Sequence, residues 1–483
     1  MRIVPAVCLA AMLACGSDLA LQGSARIDAV FNVPSTGVGC IRLVASGMKR
    51  SVQKDFGITA GQSALSFDMH AIPTGTVMFS GSAYAESCSG IIASSIATWV
   101  ADDATVTISP GPPALVQLDF HPNGNATVGG NFVGDSFTVT TLAGLAGTAG
   151  AVDGTGPEAL FEGPTALAFD GVDTLYLADR TTATSGSFTG MTIRRITVST
   201  GVVTTLAGDP GSIGTADGDG TAARFALLGA LALSGSMLYI GDGCALRAMT
   251  TTQPYAVTTL LGTPSATNPQ AWDCSSGIGS ILDIAARGPD LYIADQVRAV
   301  ISKISFATSP PTVTVVAGST GVTGTADGTL SSAEFLGPLG IVFPFATDDV
   351  FFVADWGTSD GTHSFGLIRR VSHSDNSVTT LAGAEQTGFV MTDGLGLNAL
   401  FAEPRRIAND GTNLFITDIS AVRRLDLHTE AVVTVAGSNT AGYADAVGVS
   451  AGFNWPFGIA RNAATASMYV ADQKNFTIRV LRS

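Results

Sequence analysis

The sequence predicts an all-β chain with two parts. A six-bladed β-propeller spans residues 139–483, closed by an outer strand from its own N-terminal end. A small β-sandwich over residues 24–133 precedes it. Three observations predict this. A phrase close to V-T-T-L-A-G recurs at Val139, Val203, Val257, Val313, Val378 and Val432. A second phrase close to L-Y-I-A-D recurs at Leu175, Leu238, Leu291, Phe351, Leu414 and Met468, in copies 63, 53, 60, 63 and 54 residues apart. The repeats also begin on a lone copy of the first phrase and end without one. A period near sixty built of short apolar runs is one four-stranded sheet per repeat, the unit of a propeller.

The first fifteen residues read as an export signal. Arg2 precedes a short apolar run from Ile3 to Ala14, which ends at Leu13-Ala14-Cys15-Gly16. The run is too short to span a bilayer. Cys15 after Leu-Ala resembles the acylated cysteine of a bacterial lipobox, although Met12 stands where leucine is usual. The alternative is an ordinary signal cleaved near Ala20 or Ala25. By the same resemblance, Gly16 after the cysteine implies an outer-membrane or cell-surface lipoprotein; periplasmic or secreted protein is the alternative.

Residues 24–133 lack the repeat phrases. Seven short strands are expected there, at 25–33, 40–45, 64–69, 75–83, 96–101, 105–109 and 115–120, several separated by Pro- and Gly-bearing turns. That density suggests a sandwich, loosely immunoglobulin-like. Trp99 follows the second cysteine of the pair Cys40 and Cys88, so the immunoglobulin signature is not met. Six cysteines occur. Cys8 leaves with the signal and Cys15 would carry lipid. Two remain in each part, which in an exported chain predicts the disulfides Cys40–Cys88 and Cys244–Cys274. Zinc is the rival, without a CxxC or a nearby histidine to favour it.

Within each repeat a Pro-x-x-[IL]-[AV] stretch gives the first strand, as at Pro164, Pro338, Pro404 and Pro456. The L-Y-I-A-D phrase is second. A β-branched stretch around arginine, such as Ile193-Arg194-Arg195-Ile196, is third, and V-T-T-L-A-G is fourth. The chain stops just after a third strand, Ile478-Arg479-Val480-Leu481. Pairing it with the lone fourth strand at Val139 closes the ring and removes an open sheet edge.

The composite pattern V-T-T-L-A-G…A-D-G-x-G…A-x-F…P…I-A…L-Y-I-A-D…I-R resembles the NHL-repeat propellers over residues 139–483. The copy from Val203 shows Gly214-Thr215-Ala216-Asp217-Gly218-Asp219-Gly220 and Ala223-Arg224-Phe225. The copy from Val257 departs most, with Cys274 in its linking loop and no A-D-G. The resemblance implies the propeller fold and, most often, a binding scaffold; a minority of such proteins are enzymes.

A formal charge of −15 and no Lys/Arg cluster argue against nucleic acid, and against direct binding to anionic lipid. Membrane association is expected only through the lipid anchor, and the chain is expected to be monomeric. No catalytic residue or resident cofactor is predicted. The five histidines, His70, His121, His363, His373 and His428, fall at non-equivalent positions. No G-x-S-x-G, P-loop or H-E-x-x-H motif occurs. Asp217-Gly218-Asp219-Gly220 offers oxygens for Ca²⁺ without the spacing of a calcium loop. Asp179, Asp242, Asp295, Asp355, Asp418 and Asp472 end every second strand. Arg194, Arg247, Arg369, Arg423 and Arg479 enter five third strands, and Ser302 replaces the sixth. A residue needed in every repeat is needed by the fold, so these are read as scaffold.

Recognition is expected on the face where second-to-third loops and blade-to-blade loops emerge. The segments from Arg180 to Thr192 and from Trp356 to Leu367 are long there. The candidate face comprises Arg180, Phe188, Trp272, Trp356, His363 and Phe389. The expected function is an exported, lipid-anchored scaffold that binds a protein, peptide or glycan. The alternatives are a lyase or lactone-hydrolase type enzyme with a metal in the central channel, and a structural envelope or adhesion component.

Overall fold

A computed structural model describes residues 22–31, 40–47, 51–57, 64–73, 75–84, 88, 99–108, 114–122, 137–182, 188–263, 277–344, 349–358 and 363–482. The signal segment with Cys15, the loop bearing Trp272 and Cys274, and the side chains of Phe188 and His363 lie outside that description. The described chain is all-β. It divides into two compact units, Met1–Phe132 and Val133–Ser483. No helix among the described residues is long and apolar enough to cross a membrane.

In the first unit the strands are β1 (Gln22–Phe31), β2 (Cys40–Gly47), β3 (Ser51–Gly57), β4 (Ala64–Pro73), β5 (Gly75–Tyr84), β6 (Trp99–Ile108) and β7 (Ala114–Pro122). Where the sequence suggests a sandwich, hydrogen bonds join all seven into one sheet in the order β3-β2-β5-β6-β7-β1-β4. Its two edge strands, β3 and β4, pack together through Phe56 and Phe67, whose rings lie 4.5 Å apart. β3 was not expected, because Ser51-Val52-Gln53-Lys54-Asp55 is mostly polar. The strands expected at 96–101 and 105–109 are one, β6, which pairs β5 across an irregularity between Phe79 and Gly81. Cys40 and Cys88 are disulfide-bonded.

The second unit holds six antiparallel sheets of four main strands each. Sheet one comprises Pro164–Phe169, Thr174–Thr182, Phe188–Thr197 and Val202–Asp209; sheet two, Leu228–Ser234, Met237–Asp242, Ala245–Thr250 and Ala256–Gly262. Sheet three comprises Ile281–Arg287, Asp290–Asp295, Val300–Ser305 and Thr312–Ala317; sheet four, Pro338–Val342, Val350–Thr358, His363–Ser372 and Ser377–Ala382. Sheet five comprises Ile407–Asn409, Asn413–Asp418, Ala421–Asp426 and Ala431–Gly437. Sheet six takes Pro456–Arg461, Met468–Asp472 and Thr477–Arg482 from the C-terminal end, and Thr138–Ala143 as its fourth strand. That pairing sets Arg479 opposite Thr141 and Leu481 opposite Val139.

The arrangement is propeller-like. The first strand of each sheet contacts the first strand of the next, and that of sheet six contacts that of sheet one. Apolar burial follows the same cycle. Six clusters each join two neighbouring sheets. The cluster between sheets five and six includes Val139, Phe453, Met468 and Leu481; that between sheets six and one includes Phe161, Leu177, Ile478 and Val480. Glycine allows the inner strands to meet, since a Cβ at Gly458 would collide with the carbonyl oxygen of Thr165 on sheet one.

The closing strand can be tested at one buried position. Val139 is 1% exposed, whereas its neighbour Thr138 is exposed. Val139→Asp buries an unpaired carboxylate and is expected to cost at least about 3 kcal/mol in denaturant unfolding, with Thr138→Asp within about 0.5 kcal/mol of the parent.

Candidate functional site

The repeated aspartates and arginines meet inside the sheets. In sheet one, Asp179 accepts backbone N–H bonds from Glu162 and Gly163, just before the first strand, at 3.2 and 2.9 Å. Its other oxygen accepts from Arg194 Nη1 at 3.2 Å. Arg194 Nη1 also donates to Leu160 O, and Nη2 donates to Val152 O and to Asp153 Oδ1. Asp153 in turn accepts from the backbone N–H and hydroxyl of Thr205 in the fourth strand, both at 2.9 Å. One guanidinium thus ties the second strand, the inter-sheet loop and, through Asp153, the fourth strand. Burial pushes the Asp179 carboxyl up to about 6, against the opposing pull of Arg194 and the two N–H donors.

Equivalent sets recur around Arg247, Arg369, Arg423 and Arg479, with loop partners Asp217, Asp327, Asp393 and Asp445. Each guanidinium carbon stands 5.0–5.2 Å from the ring centroid of a buried phenylalanine: Phe161, Phe225, Phe335, Phe401 or Phe453. In sheet six the fourth-strand threonine is Thr141, so the closing strand is held by the same device. Asp217, considered for Ca²⁺, has its oxygens engaged by Arg247 and by the N–H and hydroxyl of Thr259. Burial would raise its carboxyl, but those donors hold it below its ordinary value. Sheet three keeps Asp295, which accepts from the N–H groups of Gly279 and Arg298. There the buried Ser302 hydroxyl has no hydrogen-bond partner among the described residues.

The face at the start of the first strands differs from expectation in one respect. Where loops were expected over 180–192 and 356–367, the flanking strands continue, to Thr182 and from Phe188 in the first and to Thr358 and from His363 in the second. Arg180 pairs with Met191 and Thr181 with Gly190; Trp356 pairs with Gly366 and Gly357 with Phe365. Sheets one and four, three steps apart in the cycle, therefore carry second-to-third hairpins that run past the ends of their sheets. A further strand, Glu385–Thr387, pairs with His363–Phe365 on the sheet-four extension. After it Phe389 is 50% and Val390 47% exposed. The segment is tied down beneath them: Gln386 donates to Phe401 O and accepts from the Val390 N–H, and Ser364 donates to Gly388 O. A groove of about 510 Å³ runs beside it, lined by Glu385, Gln386, Thr387, Val390 and Leu400.

Two further candidates lie on these hairpins with their side chains engaged by neighbouring backbone. Arg180 turns inward, its Nε donating to Leu228 O of sheet two at 2.6 Å. Burial and then the charge of Arg406 pull its guanidinium down to about 10. Trp356 is half-buried, its indole N–H donating to Ala402 O at 3.1 Å. His373 and His428 are exposed at the turns between third and fourth strands. Cys244 is disulfide-bonded, with its partner outside the described residues.

Sequence reading missed the groups at the centre of the sheets. Arg405 and Arg406 lie on the approach to the first strand of sheet five. Arg405 is fully buried, ion-paired to Glu403 at 2.8 Å, and its guanidinium carbon is 4.5 Å from the Trp455 ring centroid. Lys474 Nζ lies 3.4 Å from the same centroid. Trp455 holds φ at 57°, a conformation unusual outside glycine. The Arg406 guanidinium crosses the space between the first strands. Its terminal nitrogens donate to Leu339 O and Arg405 O, and to Gly229 O and Leu282 O. Its Nε is 3.5 Å from Asp283, and its carbon 4.8 Å from the Phe457 ring centroid. Burial raises the Asp283 carboxyl, opposed by Arg406 and the Ile341 N–H. A cavity of about 120 Å³ beside it is walled by first-strand residues of all six sheets, Leu167, Leu231, Ile284, Ile341, Ile407 and Ile459 among them. The signal was visible: Arg405-Arg406 stands where the other first-strand phrases have Thr165-Ala166, Leu339-Gly340 and Phe457-Gly458.

No protein-family model and no curated protein matches the chain. Solved structures do. A Bacteroides thetaiotaomicron structural-genomics protein of unknown function is 18% identical, covers 92% of this chain and 90% of its own, and superposes with a TM-score of 0.52. An auxiliary nutrient binding protein of Bacteroides ovatus is 14% identical over 95% of this chain and 97% of its own, with a TM-score of 0.48. Another of that description from Bacteroides thetaiotaomicron is 15% identical over 91% and 90%, with a TM-score of 0.49. At such identity the first likeness speaks to the fold alone.

The arginine sets predict a measurable coupling. Arg369→Met leaves Asp355 buried and unpaired and is expected to cost about 3–5 kcal/mol. Asp355→Asn combined with it should cost clearly less than the sum of the two single losses, read as a double-mutant cycle in denaturant unfolding.

Proposed function

We propose that the chain is an exported binding scaffold, anchored through Cys15, whose six sheets form an NHL-type propeller that captures a protein, peptide or glycan outside the cytoplasm. The observation that carries this reading is the pair of hairpins on sheets one and four, rising past one face, with Phe389 and Val390 exposed on a hydrogen-bonded segment. Exposed aromatic and aliphatic groups on a rigid support lose little freedom on contact, which suits recognition. Phe188 and His363 start the returning strands of the same hairpins, so they belong to this face by position.

The enzyme alternative places a metal in the central channel. The Arg406 guanidinium stands in that space, and a fixed cation opposes a second cation beside it. This favours the rim over the channel as the working surface. A purely structural envelope component remains the reading to fall back on if no ligand exists.

The test is cross-linked capture from intact cells with the tagged full-length protein. Phe389→Ser with Val390→Asp is expected to reduce recovery of a specific partner at least about tenfold, the loss of a hot spot, with an unchanged unfolding midpoint. Undiminished capture by the folded double variant would move the site off this rim.

A further inference from the structure

The central arginine is more than a buried charge. Arg406 approaches from sheet five, and its donors reach carbonyls on sheet two (Gly229), sheet three (Leu282) and sheet four (Leu339). Asp283 of sheet three supplies the counter-charge, and that carboxylate also accepts the backbone N–H of Ile341 on sheet four at 2.9 Å. Phe457 of sheet six stands against the guanidinium carbon. Five of the six sheets therefore meet at one planar group.

The backbone carbonyls are the decisive feature. Leu339 and Leu282 lie one residue into their first strands, and Gly229 likewise. First-strand carbonyls that face a central space have no sheet partner there, and buried acceptors without donors are costly. A guanidinium presents its N–H groups in a planar fork that can serve several such oxygens at once; an ammonium is a compact donor on a flexible stem. The arginine stem is 4% exposed, and neither terminal nitrogen is left to solvent.

We propose that these three carbonyls and Asp283 form a guanidinium-selective cradle, and that Arg406 occupies it as a pin setting the spacing of the first strands. Arg406 is a positioning residue and takes no part in chemistry. The proposal concerns the interior of the array and stands independently of what the rim binds.

The cradle is tested by emptying and refilling it. Arg406→Ala in the full-length protein is expected to lower Tm by roughly 5–10 °C, as for a buried ion pair broken from one side. Guanidinium or methylguanidinium chloride at about 20 mM, far below denaturing concentrations, should then restore at least half of that fall. Potassium chloride and urea at the same concentration should restore none, and the parent protein should respond to neither salt. Arg406→Lys should also lose stability, because one ammonium cannot span the three oxygens. If Arg406→Ala does not accumulate as folded protein, folded yield on refolding with and without guanidinium gives the same reading. A variant as stable as the parent overturns the proposal, as does a loss that guanidinium repairs no better than potassium.

Discussion

The arginine held between two aspartates is the interaction on which the rest of the six-sheet unit depends. Five inter-sheet crossings run from a fourth strand to the next first strand with little apolar core beyond one buried alanine and one buried phenylalanine each. In five sheets a fully buried guanidinium anchors that crossing. It takes one aspartate from the end of the second strand and one from the loop, and it donates to two loop carbonyls. The remaining Nε finds no hydrogen-bond partner among the described residues in any of the five, but the guanidinium faces a phenylalanine ring. Buried ion pairs are poor sources of net stability, because desolvation offsets attraction. Their value here is geometric: a planar fork with fixed donor directions admits one loop path, whereas an apolar plug would admit several. Sheet three shows the counter-case. It lacks the arginine, its Ser302 hydroxyl has no partner among the described residues, and the loop that departs from the repeat pattern belongs to it.

Closure uses the same chemistry instead of a separate device. Sheet six borrows Thr138–Ala143 from more than three hundred residues away, and Asp445 grips Thr141 as Asp153 grips Thr205. The apolar clusters behave likewise, because the clusters flanking sheet six contain residues from both ends of the second unit. The unit therefore presents no unpaired outer strand at sheet six, although the pairing has a high loop-closure cost in folding.

The repeat was legible because it is local. The two phrases mark the second and fourth strands by pattern alone, and counting them exposed the missing fourth strand at the C-terminal end. Asp–Arg proximity within a hairpin was equally readable, since their strands are adjacent. The loop aspartates were not read as partners, because Asp217 and Arg247 are 30 residues apart and joined only by the crossing. The hairpin extensions of sheets one and four looked like loops. Gly190 and Gly366 interrupt their strand patterns, and each sits where a Cβ would collide with neighbouring backbone. β3 was missed for a different reason: an edge strand exposes polar residues and so carries no apolar alternation.

Arg406 was the hardest to read, although its signal was a plain one. A first strand packed against two neighbours should be apolar or small, and Pro404-Arg405-Arg406 breaks that rule where the copies at Pro164, Pro338 and Pro456 obey it. Such a violation in an otherwise regular repeat signals a residue answering a constraint outside its own sheet. Here that constraint is the trio of first-strand carbonyls at Gly229, Leu282 and Leu339. The Asp283 carboxylate is the reciprocal violation, in a first strand that otherwise reads Ile281-Leu282-Ile284. The two irregular positions are 123 residues apart in sequence and 3.5 Å apart in space. Paired departures from a repeat, one cationic and one anionic, are thus the trace that a shared interior leaves in a sequence. They locate the space shared by the first strands more directly than the repeated residues, which report only on their own sheets.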